Sequence, residues 1–382
     1  MKKIISLLFV PLLLIITTSF QNSAPSQSMK KYKIIGYVAG WVDVSKMKID
    51  VSKLTHINYA FTSLDEFGLV KPATQRDVEN LKYLNSLKQE NKDLKILISI
   101  GGWGADFFSN AALNEKSRLQ FAKSAVSYMK ENNLDGVDID WEYPGQPGGG
   151  NIFRAKDKEN FTLMLKQLRE ELDKQSKLDG RTNENAYLLT IATGGDQEYL
   201  KHTELGIAHQ YLDFINIMTY DLYHGNDRVT GHHTPLYPSK IGKQERNSSA
   251  DAVRGHIEAG VPAHKIVLGL AFYGRGWEQV KNVDNGLFQP ASGKHITLSY
   301  DSLQSTYINK NGYVRLWDED AKAPYLWNAD SRTFITYADE ESFIYKAEYV
   351  KSQGLGGVMF WEYSQNVRDG VLLNKIYEEL NK

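Results

Sequence analysis

The sequence contains no cysteine among its 382 residues. Disulfide bonds and a lipid-modified cysteine are therefore excluded, and an exported form must rely on a large hydrophobic core instead. No charge of one sign dominates, since 45 Lys and Arg residues oppose 46 Asp and Glu residues for a formal net charge of −1. This balance provides no global basic field for nucleic acid and no strongly acidic, solvating chain.

Long apolar runs are also lacking, apart from a short one at the N-terminus. Lys2 and Lys3 precede an apolar stretch from Ile4 to Ile16, and small or polar residues follow from Thr17. This pattern indicates an export signal, whereas a membrane-spanning helix needs about 20 apolar residues. We expect residues 1–24 to be a signal peptide, and the mature protein to be secreted and free of the membrane. An uncleaved anchor is the alternative.

Beyond a polar lead-in over residues 20–31, short β-branched runs alternate with stretches of helical period. Alternation of this kind predicts parallel strands covered by helices. The predicted strands are Lys33–Val38, Leu54–Phe61, Leu94–Ile100, Leu134–Trp141, Tyr187–Thr193, Leu212–Thr219, Lys265–Ala271 and Gly356–Trp361. The predicted helices are Gln75–Asn91, Glu115–Asn132, Lys156–Gln175, Ala250–Ala259 and Glu340–Ser352.

Eight strands of this type match a (β/α)8 barrel, which takes about 250 residues. An open, doubly wound sheet is the second candidate architecture. Such a sheet normally carries a glycine-rich phosphate loop after its first strand, and the segment from Gly36 to Trp41 lacks that spacing. The α/β fold class with a closed barrel over residues 32–382 is therefore favoured.

One interval interrupts the alternation, between the seventh strand and the helix before the eighth. It is too long for a structureless loop, and it contains its own strand-like pieces at His295–Leu298, Tyr313–Trp317, Tyr325–Asn328 and Thr333–Tyr337. We expect a small α+β insertion domain over residues 276–335, on the face formed by the carboxyl ends of the barrel strands.

The most informative segment runs from Asp135 to Pro144 (DGVDIDWEYP). Side chains on a strand alternate between its two faces, so Asp138, Asp140 and Glu142 share one face and the apolar residues between them share the other. In a barrel the apolar face packs against helices, so the carboxyl groups should line the interior. They should climb toward the mouth, where the active sites of such barrels lie.

Carboxylates spaced about 7 Å apart on one face would repel one another if all were ionised. At least one should hold a proton near neutral pH, and a protonated acid at a cleft mouth can act as a general acid. A calcium site is one alternative, although Trp141 interrupts the run where an EF-hand loop needs further oxygen ligands. A strand with ordinary solvated acids is the other.

The spacing Asp-x-x-Asp-x-Asp-x-Glu, from Asp135 through Asp138 and Asp140 to Glu142, resembles the fourth-strand signature of glycoside hydrolase family 18. The resemblance implies a chitinase of the barrel type with an insertion domain and a retaining, substrate-assisted reaction. It implies that Glu142 protonates the glycosidic oxygen, that Asp140 orients the substrate acetamido group, and that Asp138 holds or shares a proton with Asp140. Asp135 has the opposite parity, so we expect a structural role for it.

Further segments resemble the same family along nearly the whole mature chain. Ser99–Trp103 resembles the Ser-x-Gly-Gly motif that ends the third strand, where glycines let the backbone turn without a Cβ clash. Met218–Asp221 resembles the sixth-strand motif, which implies that the Tyr220 hydroxyl bonds the acetamido carbonyl oxygen. Tyr273–Arg275 resembles chitinases that carry the insertion, and Gly356–Trp361 resembles the eighth strand.

Aromatic residues make up 12% of the chain, which fits either an aromatic core or a cleft that stacks sugar rings. Trp41, Trp103 and Trp361 each stand at or beyond a predicted strand end. The resemblance places Trp41 in a distal minus subsite, Trp103 in a plus subsite and Trp361 under the −1 sugar. The predicted catalytic residues are Glu142, Asp140, Asp138 and Tyr220. The predicted substrate-binding residues are Tyr37, Trp41, Phe61, Trp103, Tyr143, Met218, Asp221, Tyr273, Arg275 and Trp361.

The chain departs from many family members after Asp221. The stretch from Leu222 to Asp227 lacks the tryptophan of a second plus subsite, for which Tyr223 could substitute. No separate chitin-binding module is apparent at either end.

The sequence therefore predicts a monomer that binds chitin or chitooligosaccharides and hydrolyses β-1,4 bonds between N-acetylglucosamine units. No cofactor, no metal and no nucleic-acid partner is expected. An endo-β-N-acetylglucosaminidase acting on N-glycans is an alternative, which the predicted insertion domain disfavours. A non-catalytic chitinase-like lectin is another, which the presence of Glu142 disfavours.

Overall fold

The computed structural model describes residues 32–241, 246–366 and 368–382. Parallel strands close into a barrel in the order β1-β13-β7-β6-β5-β4-β3-β2. These strands are β1 (Lys33–Ala39), β2 (His56–Thr62), β3 (Lys95–Gly101), β4 (Gly136–Asp140), β5 (Leu188–Gly194), β6 (Phe214–Met218), β7 (Ile266–Ala271) and β13 (Gly357–Trp361). The predicted barrel is confirmed. The open sheet is excluded because β1 pairs with β13, with Lys33 opposite Gly357.

Helices follow the strands, and short polar side chains cap the first turn of several of them. They are α1 (Gln75–Ser86), α2 (Phe108–Ala111), α3 (Glu115–Glu131), α4 (Asp157–Leu178), α5 (Gln197–Lys201), α6 (Leu205–Ala208), α7 (Ser249–Glu258), α8 (Tyr300–Ser302), α9 (Glu340–Ser352) and α10 (Val371–Leu380). Capping boxes start α1, α3, α7 and α9, with Thr74, Asn114, Ser248 and Asp339 as the N-caps. The predicted bounds of α9 match the observed ones.

The outward face of β4 is packed as the alternation predicts. Val137 and Ile139 are fully buried. The Trp141 ring, just beyond the strand, stacks on Phe108 at 5.4 Å and meets Phe161 edge-on at 5.5 Å. Aromatic pairs in these geometries add to the free energy gained by burial. The helices therefore hold the apolar side of the strand and direct its carboxyl groups inward.

Asp135 takes the structural position predicted from its parity. Its carboxylate lies 2.6 Å from Lys88 Nζ and 3.3 Å from the Arg181 guanidinium, and it accepts a hydrogen bond from the Ile96 amide at 2.9 Å. The Asp135 carboxylate therefore connects the turn after α3 to β3, at the base of the barrel and away from its mouth.

A second sheet follows β7 and is antiparallel throughout. Its strands are β8 (Tyr273–Trp277), β9 (His295–Ser299), β10 (Val314–Asp318), β11 (Ala323–Asn328) and β12 (Thr333–Thr336), in the order β10-β11-β12-β8-β9. The sheet begins at Tyr273, before the predicted boundary at residue 276, because the chain enters β8 almost directly from the end of β7. The predicted fold class, a barrel with a small insertion between its last two strands, is confirmed.

The predicted signal peptide, residues 1–24, lies outside the described residues. Within the part that the structure describes, no helix is both long enough and apolar enough to cross a membrane.

Candidate active site at the barrel mouth

Asp138 lies inside the barrel, where four strands supply hydrogen-bond donors to its carboxylate. The hydroxyls of Tyr37 and Ser99 each donate to Oδ2 at 2.8 Å, and the Thr190 hydroxyl donates to Oδ1 at 2.5 Å. The Asn216 amide also donates to Oδ1, at 3.3 Å. Burial raises the pKa of Asp138, while these hydrogen bonds act against that effect because they favour the ionised form. Asp138 is thus a fixed acceptor beneath the site.

Asp140 lies one step closer to the mouth on the same face. Burial, followed by the charges of Glu142 and Asp138, raises the pKa of Asp140 well above its usual range. Its Oδ1 atom is buried and has no hydrogen-bond partner among the described residues. The three carboxyl groups therefore do not all ionise near neutral pH, as their spacing predicts.

Glu142 follows β4 and faces the cleft. Burial raises the pKa of Glu142 to about 7, with the hydrogen bond to Tyr143 acting in the opposite direction and the charge of Asp221 raising it further. The Tyr143 ring is held edge-on between Trp103 and Tyr199, at 6.4 and 5.8 Å. A carboxyl group of this pKa populates both protonation states near neutral pH, so it can both donate and accept a proton.

The end of β3 approaches β4 closely because it consists of glycines. Gly101 has a φ of +123°, and a Cβ there would lie 2.0 Å from the carbonyl oxygen of Asp140. Gly102 has a φ of +89°, and a Cβ there would lie 2.6 Å from the Phe61 ring. The Gly102 amide donates to the Asp140 carbonyl oxygen at 2.9 Å. Glycine is required at both positions, and the contact fixes the backbone that carries Asp140.

Trp361, at the end of β13, is the centre of an aromatic cluster at the mouth. Its ring stacks on Phe61 at 5.4 Å with 18° between the planes, and lies 5.7 Å from Tyr37 and 6.1 Å from Trp41. Trp41 and Trp103 extend from the surface, with 57% and 67% of their areas exposed. Indole rings left open to solvent at a cleft are available to a ligand with an apolar face.

Tyr220 closes the interior side of the cleft. Its hydroxyl lies 3.8 Å from Met359 Sδ, and its ring meets Tyr273 edge-on at 6.1 Å. Burial, then the charges of Asp140 and Glu142, raises the pKa of Tyr220 well above its usual value. The side chain therefore remains a neutral phenol that can donate a hydrogen bond.

Asp221 connects the barrel to the small sheet. Its two carboxylate oxygens accept hydrogen bonds from Arg275 of β8, at 2.8 Å from Nε and 2.6 Å from Nη2. Burial raises the pKa of Asp221, but contacts with His233 and Arg275 outweigh burial and hold that pKa well below its usual range. The backbone at Asp221 has a φ of +55°, an uncommon conformation for a residue with a side chain. Asp221 is thus a charged and firmly oriented group.

These residues surround a cavity of about 670 Å³ at the carboxyl ends of the strands. Of the predicted site residues, all except Asp138 line the cavity, and Asp138 lies beneath it: Tyr37, Trp41, Phe61, Trp103, Asp140, Glu142, Tyr143, Met218, Tyr220, Asp221, Tyr273, Arg275 and Trp361. Lining residues that the sequence did not predict are Ala192, Gly195, Asp196, Leu222, His224, Gly225, Asn226, Arg246, Asn247, His295, Thr297 and Gln365. Ala192, His295 and Thr297 carried a signal, since each stands on a predicted strand.

Tyr223 does not replace the missing tryptophan of a second plus subsite, so that expectation is wrong. Only 5% of its area is exposed, because it packs in the core of the small sheet, 5.9 Å from the Phe288 ring. A Cβ on Gly231 would lie 2.6 Å from the Tyr223 ring. Asn226, three residues further along the chain, lines the cavity and is polar.

The calcium alternative gains no support from the site. No group of three or more histidine, aspartate or glutamate side chains in the described part of the chain is arranged to hold a metal ion. The oxygens of Asp138 are occupied by protein donors.

A parallel barrel that presents a glutamic acid of raised pKa at the rim of an aromatic-lined cleft has the architecture of the barrel glycoside hydrolases. The chain belongs to glycosyl hydrolases family 18, because the model of that family matches residues 33–366. The resemblance seen in the sequence motifs is therefore confirmed.

Similarity to two chitinases and to a solved structure supports the same family. The chain is 38% identical to Chitinase A1 of Niallia circulans over 97% of its own length, and spans 61% of that protein. It is 34% identical to Chitinase B of Serratia marcescens, over 84% of this chain and 75% of that protein. Among solved structures, a family 18 N-acetylglucosaminidase from Paenibacillus barengoltzii is 46% identical with a TM-score of 0.85, covering 92% of this chain and 100% of the other.

We predict that Gly101→Ala destabilises the protein by more than about 3 kcal/mol, because the added Cβ overlaps a backbone carbonyl that cannot move freely. Gly104→Ala is a matched control. Its φ is +84°, but a Cβ there lies 3.9 Å from the Gly149 carbonyl oxygen, so only the backbone cost of about 1 kcal/mol remains. Urea unfolding followed by circular dichroism measures both, and equal losses would contradict the close approach as the cause.

Proposed function

We propose that this chain hydrolyses β-1,4 bonds between N-acetylglucosamine units of chitin and chitooligosaccharides, with retention at the anomeric carbon. The observation that carries the proposal is Glu142, whose pKa is raised to about 7 by burial while its side chain lines an aromatic cleft. The chitinases among the relatives support the choice of substrate.

In the proposed first step, Glu142 gives its proton to the glycosidic oxygen as the bond from that oxygen to the anomeric carbon breaks. The acetamido carbonyl oxygen of the same sugar attacks the anomeric carbon and closes an oxazolinium ring. The leaving chain departs as an alcohol. Ionised Glu142 then accepts a proton from the water that opens the ring, which restores the acid and gives the β product.

Asp140 and Tyr220 are proposed to position the acetamido group. Asp140 has a buried oxygen without a partner among the described residues, so it can accept a hydrogen bond from the acetamido N–H. The Tyr220 phenol stays neutral and can donate to the acetamido oxygen. Fixing both ends of the group removes orientational freedom before the attack, which lowers the entropic part of the barrier.

The tryptophans are proposed to form the sugar subsites. Trp361 would support the −1 sugar, since its ring is buttressed by Phe61 and Tyr37 at the base of the cleft. The exposed rings of Trp41 and Trp103 would stack on sugars on the minus and plus sides. Each ring offers an apolar face to the C–H bonds of a sugar.

A second candidate is release of single N-acetylglucosamine units, the activity in the name of the 46% identical solved structure. Digestion of chitohexaose labelled at its reducing end separates the two candidates. Internal cleavage gives labelled dimers and trimers early, whereas an N-acetylglucosaminidase releases monomer from the first turnover. An endoglycosidase would instead cleave an N-glycan core, and a lectin would bind without any product.

The domain assignment completes the proposal. Residues 32–382 are proposed as the catalytic barrel of a monomer, and residues 276–335 as an insertion domain that walls one side of the cleft. His295 and Thr297 of β9, together with Arg275 of β8, line the cavity from that side. No cofactor takes part in the proposed reaction.

We predict that Glu142→Gln keeps its fold but loses about three orders of magnitude in turnover, since the amide cannot donate the proton. Initial rates on chitotetraose measure the loss. Glu131→Gln makes the same chemical change at an exposed helix end that contacts Ser127, and it should retain wild-type turnover. Near wild-type activity in Glu142→Gln would refute the assignment of the acid.

Retention and a need for the N-acetyl group are predicted by the proposed mechanism. The nascent product on chitotetraose should be the β anomer by proton NMR, because two displacements at one carbon restore its configuration. Fully deacetylated oligomers should bind by stacking and remain uncleaved, and thiazoline analogues of the intermediate should inhibit. An initial α product, or efficient cleavage of deacetylated chains, would overturn the substrate-assisted reaction.

Export is proposed from the lysines and apolar run at residues 2–16. Protein recovered from the culture medium should lack residues 1–24, and N-terminal sequencing measures the cleavage point. An intact N-terminus, in protein that remains with the cells, would support the uncleaved anchor instead.

A further inference from the structure

His233 lies where the loop after β6 meets the small sheet. Its side chain is fully buried. The backbone amide of His233 donates to Thr336 Oγ1 of β12 at 3.1 Å, and its carbonyl oxygen accepts from the Leu222 amide at 3.0 Å. Leu222 follows Asp221 directly, so His233 joins the small sheet to the segment that carries Asp221.

The imidazole of His233 is buried beside the charged Asp221 carboxylate, and the imidazole makes no regular hydrogen bond. Nδ1 lies 3.6 Å from Asp221 Oδ1, and the ring centroid lies 5.2 Å from that of Tyr273. Neither ring nitrogen has a hydrogen-bond partner within the described ranges. A buried polar group left in this way costs free energy and is rare in folded proteins. Its place behind a cleft carboxylate therefore needs an explanation.

Asp221 Oδ1 faces two groups at once. Arg275 Nε donates to this oxygen at 2.8 Å, and His233 Nδ1 approaches the same oxygen from the buried side. While the imidazole is neutral, the Asp221 carboxylate keeps both of its hydrogen bonds with the Arg275 guanidinium. A protonated imidazole would compete with Arg275 Nε for Oδ1, because a charged N–H forms its strong hydrogen bond at about 2.8 Å.

We propose that His233 is a positioning residue for Asp221. While its ring is neutral, Asp221 stays in its two hydrogen bonds with Arg275, at the wall of the cavity that Glu142 also lines. When the ring gains a proton, Asp221 is drawn toward His233, and the rate falls. His233 thereby contributes to the acid side of the pH–rate profile. This inference deepens the proposed function and rests on it.

The charges around His233 favour the neutral ring over most of the pH range. Burial is the largest effect and lowers the pKa of His233 to about 4, while the charge of Asp221 raises it and those of Arg275 and Lys346 lower it. Tyr273, the remaining titratable group in ring contact, has its own pKa raised well above the usual value by burial. The imidazole is therefore neutral near pH 7 and gains its proton as the pH falls toward 4.

Two replacements of His233 separate positioning from packing. His233→Asn keeps a polar side chain that cannot ionise, and His233→Phe keeps a ring without polar atoms. On chitotetraose near pH 7, where the wild-type ring is neutral, both variants should keep kcat close to the wild-type value, because Asp221 stays in its hydrogen bonds with Arg275 in all three proteins. The acid limb of kcat/KM should move to lower pH in both variants.

His256→Asn is the matched control. His256 is equally buried, but its ring nitrogens lie 2.9 Å from Thr193 Oγ1 and 2.8 Å from the Ala252 carbonyl oxygen. Its replacement should leave the acid limb where it is in the wild type. An unmoved acid limb in either His233 variant, or a large loss of kcat near pH 7 in His233→Asn, would overturn the proposal.

A second measurement does not depend on activity. Imidazole NMR should give a pKa for His233 that falls by about one unit in Asp221→Asn, because the carboxylate charge that favours the protonated ring is gone. The pKa of His256 should not change between the two proteins. An unchanged His233 titration would overturn the coupling. A wild-type protein that does not cleave chitotetraose would contradict the proposed function, but it would not affect the NMR test of the coupling between His233 and Asp221.

Discussion

Asp138 and Asp140 of β4, and Glu142 two residues beyond Asp140, follow one another at every second residue. Packing of the apolar residues between them turns the three carboxyl groups toward the barrel interior and its mouth. Like charges at that spacing in a dry interior cannot all persist. The surrounding strands place hydrogen-bond donors around the Asp138 carboxylate. Among the described residues, no donor contacts Asp140 Oδ1. The donors therefore make an ionised Asp138, at the base of the site, less unfavourable than an ionised Asp140 nearer the mouth.

The small sheet extends this arrangement beyond the barrel. Arg275 holds the charged Asp221 in a bidentate hydrogen bond from β8, and the charge of Asp221 in turn raises the pKa of Glu142. The small sheet thus acts on the proposed acid through one ion pair, between Arg275 and Asp221. Such a bidentate pair fixes direction as well as distance, so the relative placement of the two sheets matters to the acid.

Most of the fold could be predicted because strand and helix periods in this chain agree with the final packing. The parity of β4 placed Trp141 outward and Asp138 inward without any knowledge of their partners. Loop residues could not be predicted in the same way, since Asp196 and Gln365 reach the cavity through turns with no period. Tyr223 was misjudged because residue type does not reveal burial, and His233 drew no attention because its neighbour Asp221 is distant in sequence.

The pKa of Glu142 matters most in combination with that of Asp140. The charge of an ionised Glu142 helps to raise the pKa of Asp140, so the protonation of Asp140 depends on the state of Glu142. On the proposed reaction path, Glu142 becomes ionised as the glycosidic bond breaks, which increases the free energy of an ionised Asp140 and favours a proton there. Asp140 therefore keeps its proton while Glu142 carries the negative charge at the mouth. Asp138, held by donors from four strands, stays in a fixed position beneath both groups.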